Sequence, residues 1–167
     1  MSAYTCDDSF LRNNLDWVAK ATNWNKFNAV ASLGCIHQGN CDKAMAILTP
    51  YLPGAGGTSG SPYAEGGALF ALGLVNANYH NSEILNYLVT SLANASQNEV
   101  IQHGACLGIG LVSMATWDMS LFNNMMQYLN LDSAVAGEAA SYSMGLIMLG
   151  SANAQAMQDM LTYAHET

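Results

Sequence analysis

The chain has 167 residues, of which 51% are hydrophobic and only 10% are charged. This length suits one domain or one run of repeats, and ordinary soluble domains carry roughly 25% charged residues, so much of this surface is expected to face protein. All four basic residues lie within the first 43 positions, and the net charge of −8 belongs to the acidic remainder. Nucleic-acid binding is excluded, because contacts to phosphate need Lys and Arg.

The first predicted element is an outer helix over residues 9–21. We call it an orphan helix because it resembles the second half of a repeat whose first half is missing. Four helical hairpins are predicted to follow, over residues 23–52, 63–95, 97–130 and 133–166. A flexible loop rich in Gly and Pro, residues 53–62, separates the first hairpin from the second. Together these elements predict an all-α solenoid of helical hairpin repeats.

The first helix of each hairpin carries a glycine, with an alanine five residues before it. The glycines are spaced by 39, 37 and 35 residues. A glycine inside a helix costs about 1 kcal/mol relative to alanine, a cost that close packing of a neighbouring helix can offset. We therefore predict that these small residues are structural repeat positions where neighbouring helices meet. They are Ala29 and Gly34, Ala68 and Gly73, Ala105 and Gly110, and Ala140 and Gly145.

The second helix of each hairpin is amphipathic, and turn and capping residues predict its limits. Pro50 is expected to end the first of these helices near Leu48. Ser96 and Glu99 match the pattern of a capping box before the third hairpin. The remaining signals are Gly39 and Gly150 as helix stops and Asn40, Ser82 and Asn153 as N-caps.

Three runs of sequence resemble the proteasome/cyclosome repeat family, found in the two largest non-ATPase subunits of the proteasome's regulatory particle. They are FLRNNLDWVAKATNWNKFNAVASLG at 10–34, YAEGGALFALGL at 63–74 and GEAASYSMGLIMLGSANAQAM at 137–157. The resemblance covers nearly the whole chain. It implies an arc of a toroid made of two concentric helix rings, with the small-residue helices inside.

The resemblance also implies a function, that of a non-catalytic scaffold in ubiquitin-dependent protein degradation. Its expected partners are ATPase and lid subunits of the regulatory particle, with no nucleic acid and no membrane. A cytoplasmic and nuclear location is expected, and it fits the four irregularly spaced cysteines and an N-terminus without a signal-peptide pattern. Because repeat arrays need polar capping repeats, the isolated chain is also expected to self-associate.

Two groups of residues could suggest a metal site: Cys35, His37 and Cys41, and His103 with Cys106. Neither has a second ligand pair at the spacing of a zinc site. The glycine-rich loop lacks the Lys and the Ser/Thr of a phosphate-binding loop, and the histidines form no recognisable triad with an acid. We predict no catalytic, metal or cofactor site, and hence no enzyme.

The sequence also allows two other interpretations of the protein's function. One is a free-standing helical-repeat module that binds ubiquitin-like or other protein partners. The other is a small membrane helical bundle, because residues 100–117 contain no charge and include Gly104 and Gly108 in a GxxxG pattern. The recurrence of the same pattern in each hairpin, followed by an amphipathic partner, favours the buried inner helix of a solenoid over the membrane bundle.

Overall fold

The computed structural model describes residues 9, 16, 18–54 and 60–166, and these contain helices and turns but no strand. Of the predicted orphan helix, residues 9, 16 and 18–20 are helical and residue 21 is not. Residues 10–15 and 17 lie outside the described residues, as do residues 55–59 of the predicted loop. The helices are α1 (Asn23–Ile36), α2 (Cys41–Leu48), α3 (Pro62–Val75), α4 (Ser82–Asn94), α5 (Glu99–Val112), α6 (Met119–Leu129), α7 (Ala134–Ile147) and α8 (Ala154–Glu166). A 3-10 turn, Thr49–Tyr51, follows α2 and contains Pro50.

The helices form two layers. The inner layer is α1, α3, α5 and α7, stacked side by side in chain order. The outer layer is α2, α4, α6 and α8, and α4 and α6 lie mainly against the inner helix that follows each of them, α5 and α7. The all-α solenoid is confirmed for the described part of the chain.

The core lies between the two layers. Leu88 and Leu92 of α4 and Phe122 and Met125 of α6 are fully or almost fully buried there. The inner helices contribute Leu69, Leu72, Ile109, Met144 and Ile147 to the same cluster. Each outer helix therefore needs only one apolar face, whereas α3 and α5 are packed on three sides, which accounts for their apolar and nearly uncharged sequences.

Two predicted N-terminal boundaries were wrong. The N-cap of α4 is Asn81, whose side-chain oxygen accepts hydrogen bonds from the backbone N–H groups of Glu83 and Ile84, and Ser82 is already helical. The N-cap of α5 is Asn98, whose side chain accepts from the Ile101 N–H. Ser96, which the capping-box pattern assigned to this role, instead adopts a left-handed backbone with φ +52°. At both sites the sequence contains an asparagine and a serine that could each act as the N-cap, and the serine was the wrong choice.

Candidate assembly interface

Consecutive inner helices meet at the glycines, with almost no space between their backbones. A Cβ atom built on Gly34 of α1 would lie 2.5 Å from the carbonyl oxygen of Ala71 in α3. One on Gly73 of α3 would collide with Gly108 of α5, and one on Gly110 of α5 would lie 2.7 Å from the Cα of Ser143 in α7. No side chain fits at these three positions, so each glycine is a contact point between two neighbouring repeats.

The residue that each of these glycines touches also has a fixed place in the repeat. Ala71, Gly108 and Ser143 each stand two positions before the glycine of their own helix. Ser143 adds a hydrogen bond across the junction, because its hydroxyl donates to the carbonyl of Cys106 in α5 at 2.5 Å. A small residue two positions before the glycine is thus the partner of the previous repeat's glycine.

The alanines of the predicted positions have a different environment. Ala29, Ala68, Ala105 and Ala140 are all completely buried and belong to the core cluster that includes the outer-helix side chains. The close backbone contact beside Ala105 is made instead by Gly104 and Gly108, which meet Gly66 and Leu69 of α3. The structure therefore places Gly34, Gly73 and Gly110 at junctions between inner helices, Gly145 beside Met160 of α8, and the four alanines in the core.

A second set of contacts joins the turns that follow the inner helices. Five residues after each repeat glycine stands a left-handed residue: Gly39, Asn78, Ala115 or Gly150, with φ between +57° and +76°. In the first three turns its N–H donates to a carbonyl near the end of the next inner helix. These bonds are Gly39 to Val75 at 3.1 Å, Asn78 to Leu111 at 2.9 Å and Ala115 to Leu146 at 2.9 Å.

Side chains from two of these turns also contact a carbonyl group in the turn of the next repeat. His80 places Nε2 2.9 Å from the carbonyl oxygen of Met114, and the indole N–H of Trp117 donates to the carbonyl of Leu149 at 2.9 Å. His80 and Trp117 both stand seven residues after their repeat glycine, and their acceptors both stand four residues after the next one. Sequence reasoning missed this feature because the residue types differ, although the constant offset could have revealed it.

An apolar groove of about 680 Å³ crosses α3, α5 and α7 and also includes Met160 of the outer helix α8. Phe70 and Leu74 of α3, Leu107 and Leu111 of α5 and Tyr142 and Leu146 of α7 line it. Near its α1 end, Trp24, Phe27, Tyr63, Phe70 and His103 form a cluster of edge-on and stacked rings, with centroids 5.3–6.1 Å apart. His103 is also fixed by an Nδ1 contact of 2.8 Å to the Val135 carbonyl.

The residues considered for metal chemistry have structural surroundings. Cys35 is exposed on α1, His37 is buried, and Cys41 donates to the side-chain oxygen of Asn76 at 3.4 Å. Cys106 is fully buried, and burial raises the pKa of its thiol to about 12. Among the described residues no three His, Cys, Asp or Glu side chains lie close enough together to hold a metal ion.

The pKa values of two tyrosines on outer helices, Tyr87 and Tyr128, are also raised, in each case mainly by burial. No described helix is both long enough and apolar enough to cross a membrane. The uncharged stretch 100–117 is divided by the end of α5 at Val112.

Comparison with known proteins shows what these repeats are similar to. The proteasome/cyclosome repeat family model matches residues 67–102 and 139–167. Over its entire length the chain is 53% identical to 26S proteasome non-ATPase regulatory subunit 1 homolog B of Arabidopsis thaliana and 52% identical to 26S proteasome non-ATPase regulatory subunit 1 of Drosophila melanogaster. It is also 50% identical to 26S proteasome regulatory subunit rpn2 of Schizosaccharomyces pombe. The chain spans 16 to 17% of the length of these relatives.

Proposed function

We propose, from the premise that this chain is built of proteasome/cyclosome repeats, that it is a scaffold segment of a proteasome regulatory particle, without catalytic activity of its own. The observation that carries the proposal is identity of 50 to 53% along the whole chain to regulatory subunits of the 26S proteasome. The names of the plant and fly relatives describe non-ATPase subunits, which agrees with a supporting role.

The contacts between repeats explain how such a segment would act. Three glycine junctions and a row of backbone hydrogen bonds fix each inner helix against the next. This arrangement gives a rigid surface whose outer helices and inner apolar groove are both available to partners, as in other repeat proteins. We propose that the partners of this segment are the ATPase and lid subunits of the particle. The segment would form an arc of a closed toroid, and the protein would be cytoplasmic and nuclear.

A segment exchange tests this function. The matching segment of the Schizosaccharomyces pombe subunit would be replaced by this chain, and assembled regulatory particles would be measured on native gels with a peptidase overlay. We expect particles close to the unaltered level. Loss of assembly with a stable hybrid subunit would contradict the scaffold role and favour a free-standing binding module.

Two variants of the hybrid provide matched controls. Gly73→Leu breaks a junction between inner helices, so the hybrid should fail to assemble. Gln127→Leu changes an exposed position on α6 and should assemble normally. If both variants assembled as well as the parent hybrid, the junctions described above would not be needed for the scaffold.

A further inference from the structure

The turns that follow α3 and α5 expose aromatic rings at one edge of the solenoid. Tyr79 is 62% exposed and Trp117 is 56% exposed, and His80, next to Tyr79, is exposed as well. The two turns are neighbours, because the N–H of Asn78 in the first donates to the Leu111 carbonyl near the end of α5. We call the three side chains of Tyr79, His80 and Trp117 the aromatic edge.

The rings of the aromatic edge are held in place by the neighbouring turns. The Nε2 atom of His80 and the indole N–H of Trp117 each lie 2.9 Å from a backbone carbonyl oxygen of the next repeat. The Tyr79 hydroxyl reaches the preceding turn, where it would lie 3.3 Å from a Cβ atom built on Gly39. These contacts fix the rings and leave more than half of the Tyr79 and Trp117 surfaces in solvent. Side chains that are ordered before binding lose little entropy when a partner covers them.

The exposure of these rings does not come from a missing neighbour. Tyr79 and His80 have described turns on both sides, those that follow α1 and α5. His80 and Trp117 hold the same place, seven residues after their repeat glycine, and His80 stays exposed although two further repeats follow it. A longer row of repeats, as an arc of a toroid requires, would therefore extend this edge and leave its rings accessible.

The charge beside the aromatic edge has one sign. Glu83 in the first turn of α4 and Asp118, the N-cap of α6, are both exposed, and each follows a ring of the edge within four residues. The two turns, α4 and α6 contain no Lys or Arg, since no basic residue occurs after Lys43. Such a surface repels phosphates and acidic segments and attracts basic ones.

We propose that the aromatic edge binds an arginine-rich segment of a partner protein. The guanidinium group of arginine is planar, stacks on aromatic rings and pairs with carboxylates through a fixed fork of donors. An arginine stacked on Trp117 would find the Asp118 carboxylate on the adjacent residue, so that ring and charge act on the same group. The proposal goes beyond the proposed function, because it rests on this edge alone and holds whether or not the chain is a proteasome scaffold.

The test measures the binding of two fluorescein-labelled peptides to the whole chain by fluorescence anisotropy at low ionic strength. One peptide alternates arginine with glycine, and the other alternates lysine with glycine at the same length. We expect the arginine peptide to bind about fivefold more tightly, because the guanidinium group stacks on rings better than an ammonium group does. Equal affinity for the two peptides would mean that charge alone attracts them, and this result, or no binding of either peptide, overturns the proposal.

Four single variants show whether the arginine peptide lies on the aromatic edge. Tyr79→Ala removes one ring, and Trp117→His keeps a ring N–H donor of the kind that His80 places at the same repeat position. Asp118→Asn and Glu83→Gln remove charge, and asparagine remains a good N-cap. Each variant should keep the parent's circular dichroism spectrum and bind the arginine peptide about threefold or more weakly. The two charge variants should also show a weaker dependence of affinity on salt.

Tyr142→Ala is the matched control for the ring variants. Tyr142 is 59% exposed, as much as the rings of the aromatic edge, but it lies in the apolar groove of the inner helices. This variant should bind the arginine peptide as the parent does. The proposal fails if Tyr79→Ala and Trp117→His bind like the parent, or if Tyr142→Ala loses as much affinity as they do.

Discussion

A glycine holds the same position in each repeat, but its neighbours differ along the chain. Gly34, Gly73 and Gly110 leave room for a neighbouring backbone, and each would force a neighbour to move if it gained a side chain. Gly145 holds the same place in its repeat, but a Cβ atom there would meet only the flexible end of Met160, at 3.9 Å. The cost of a substitution at a repeat glycine is therefore set by the next helix and not by the glycine's own helix.

Gly73→Ala and Gly145→Ala should consequently change stability in opposite directions. The new methyl group at position 73 would overlap Gly108, and such overpacking costs about 1–3 kcal/mol. At position 145 alanine meets only Met160 and should stabilise the helix by about 0.5–1 kcal/mol. Urea unfolding of the two variants, at concentrations where the chain is monomeric, measures both changes. Equal effects at the two sites would mean that the junctions are looser than these contacts indicate.

The alanines make a separate prediction, because they lie in the core between the layers. Ala105→Leu adds three carbons to a fully buried position and should cost about 1–3 kcal/mol or more. Gln127→Leu is the matched control on the exposed surface of α6, where changes usually stay within about 0.5 kcal/mol. Thermal melting compares them. A parent-like melting temperature for Ala105→Leu would show that the core can make room at this repeat position.

Cys106 gives a prediction on reactivity. Its raised pKa keeps the thiol protonated at pH 8, so its thiolate fraction should be roughly a thousandfold or more below that of a free cysteine. We expect iodoacetamide to label exposed Cys35 and to spare Cys106 in the native protein, with both labelled in urea. Mass spectrometry of the separate peptides distinguishes the two sites. Rapid native labelling of Cys106 would show that α5 opens readily.

At the scale of the elements, the outer helices were the easier part to predict. Their amphipathic period is visible in the sequence, since one apolar face against one layer is what such a period encodes. The exact first residue was harder, because Asn81 and Ser82 are both good capping residues and only backbone geometry chooses between them. The hydrogen bonds between turns could not be derived from composition, since His80 and Trp117 perform the same task with different groups.

The corrected cap of α4 can be checked directly. Asn81→Ala removes an acceptor for two backbone N–H groups and should destabilise the chain by about 1 kcal/mol. Ser82→Ala should change stability by a few tenths of a kcal/mol at most, because Ser82 lies inside the helix, where alanine is favoured. Urea unfolding separates the two positions. A larger loss for Ser82→Ala would restore the original assignment of the cap.

At the scale of the whole molecule, the repeat spacing was sufficient to predict a solenoid, because four glycine-centred segments at 35 to 39 residues leave few other arrangements. The direction of packing was not predictable in this way. That the glycine of one repeat meets the residue two positions before the next glycine depends on the offset between neighbouring helices, and helical period alone leaves this offset free.

Unequal packing along the solenoid should make its stability unequal as well. Helices α3 and α5 each lie between two inner helices and against an outer one. The described residues place an inner helix on only one side of α7 and leave Met157 and Leu161 of α8 exposed. Repeat arrays are stabilised largely by contacts between nearest neighbours, so opening should begin at α8. Hydrogen exchange measured on dilute, monomeric chain should be fastest in α8, slower in α7 and slowest in α3 and α5. Equal protection of α8 and α5 in the dilute monomer would instead mean that the array unfolds as a single cooperative unit.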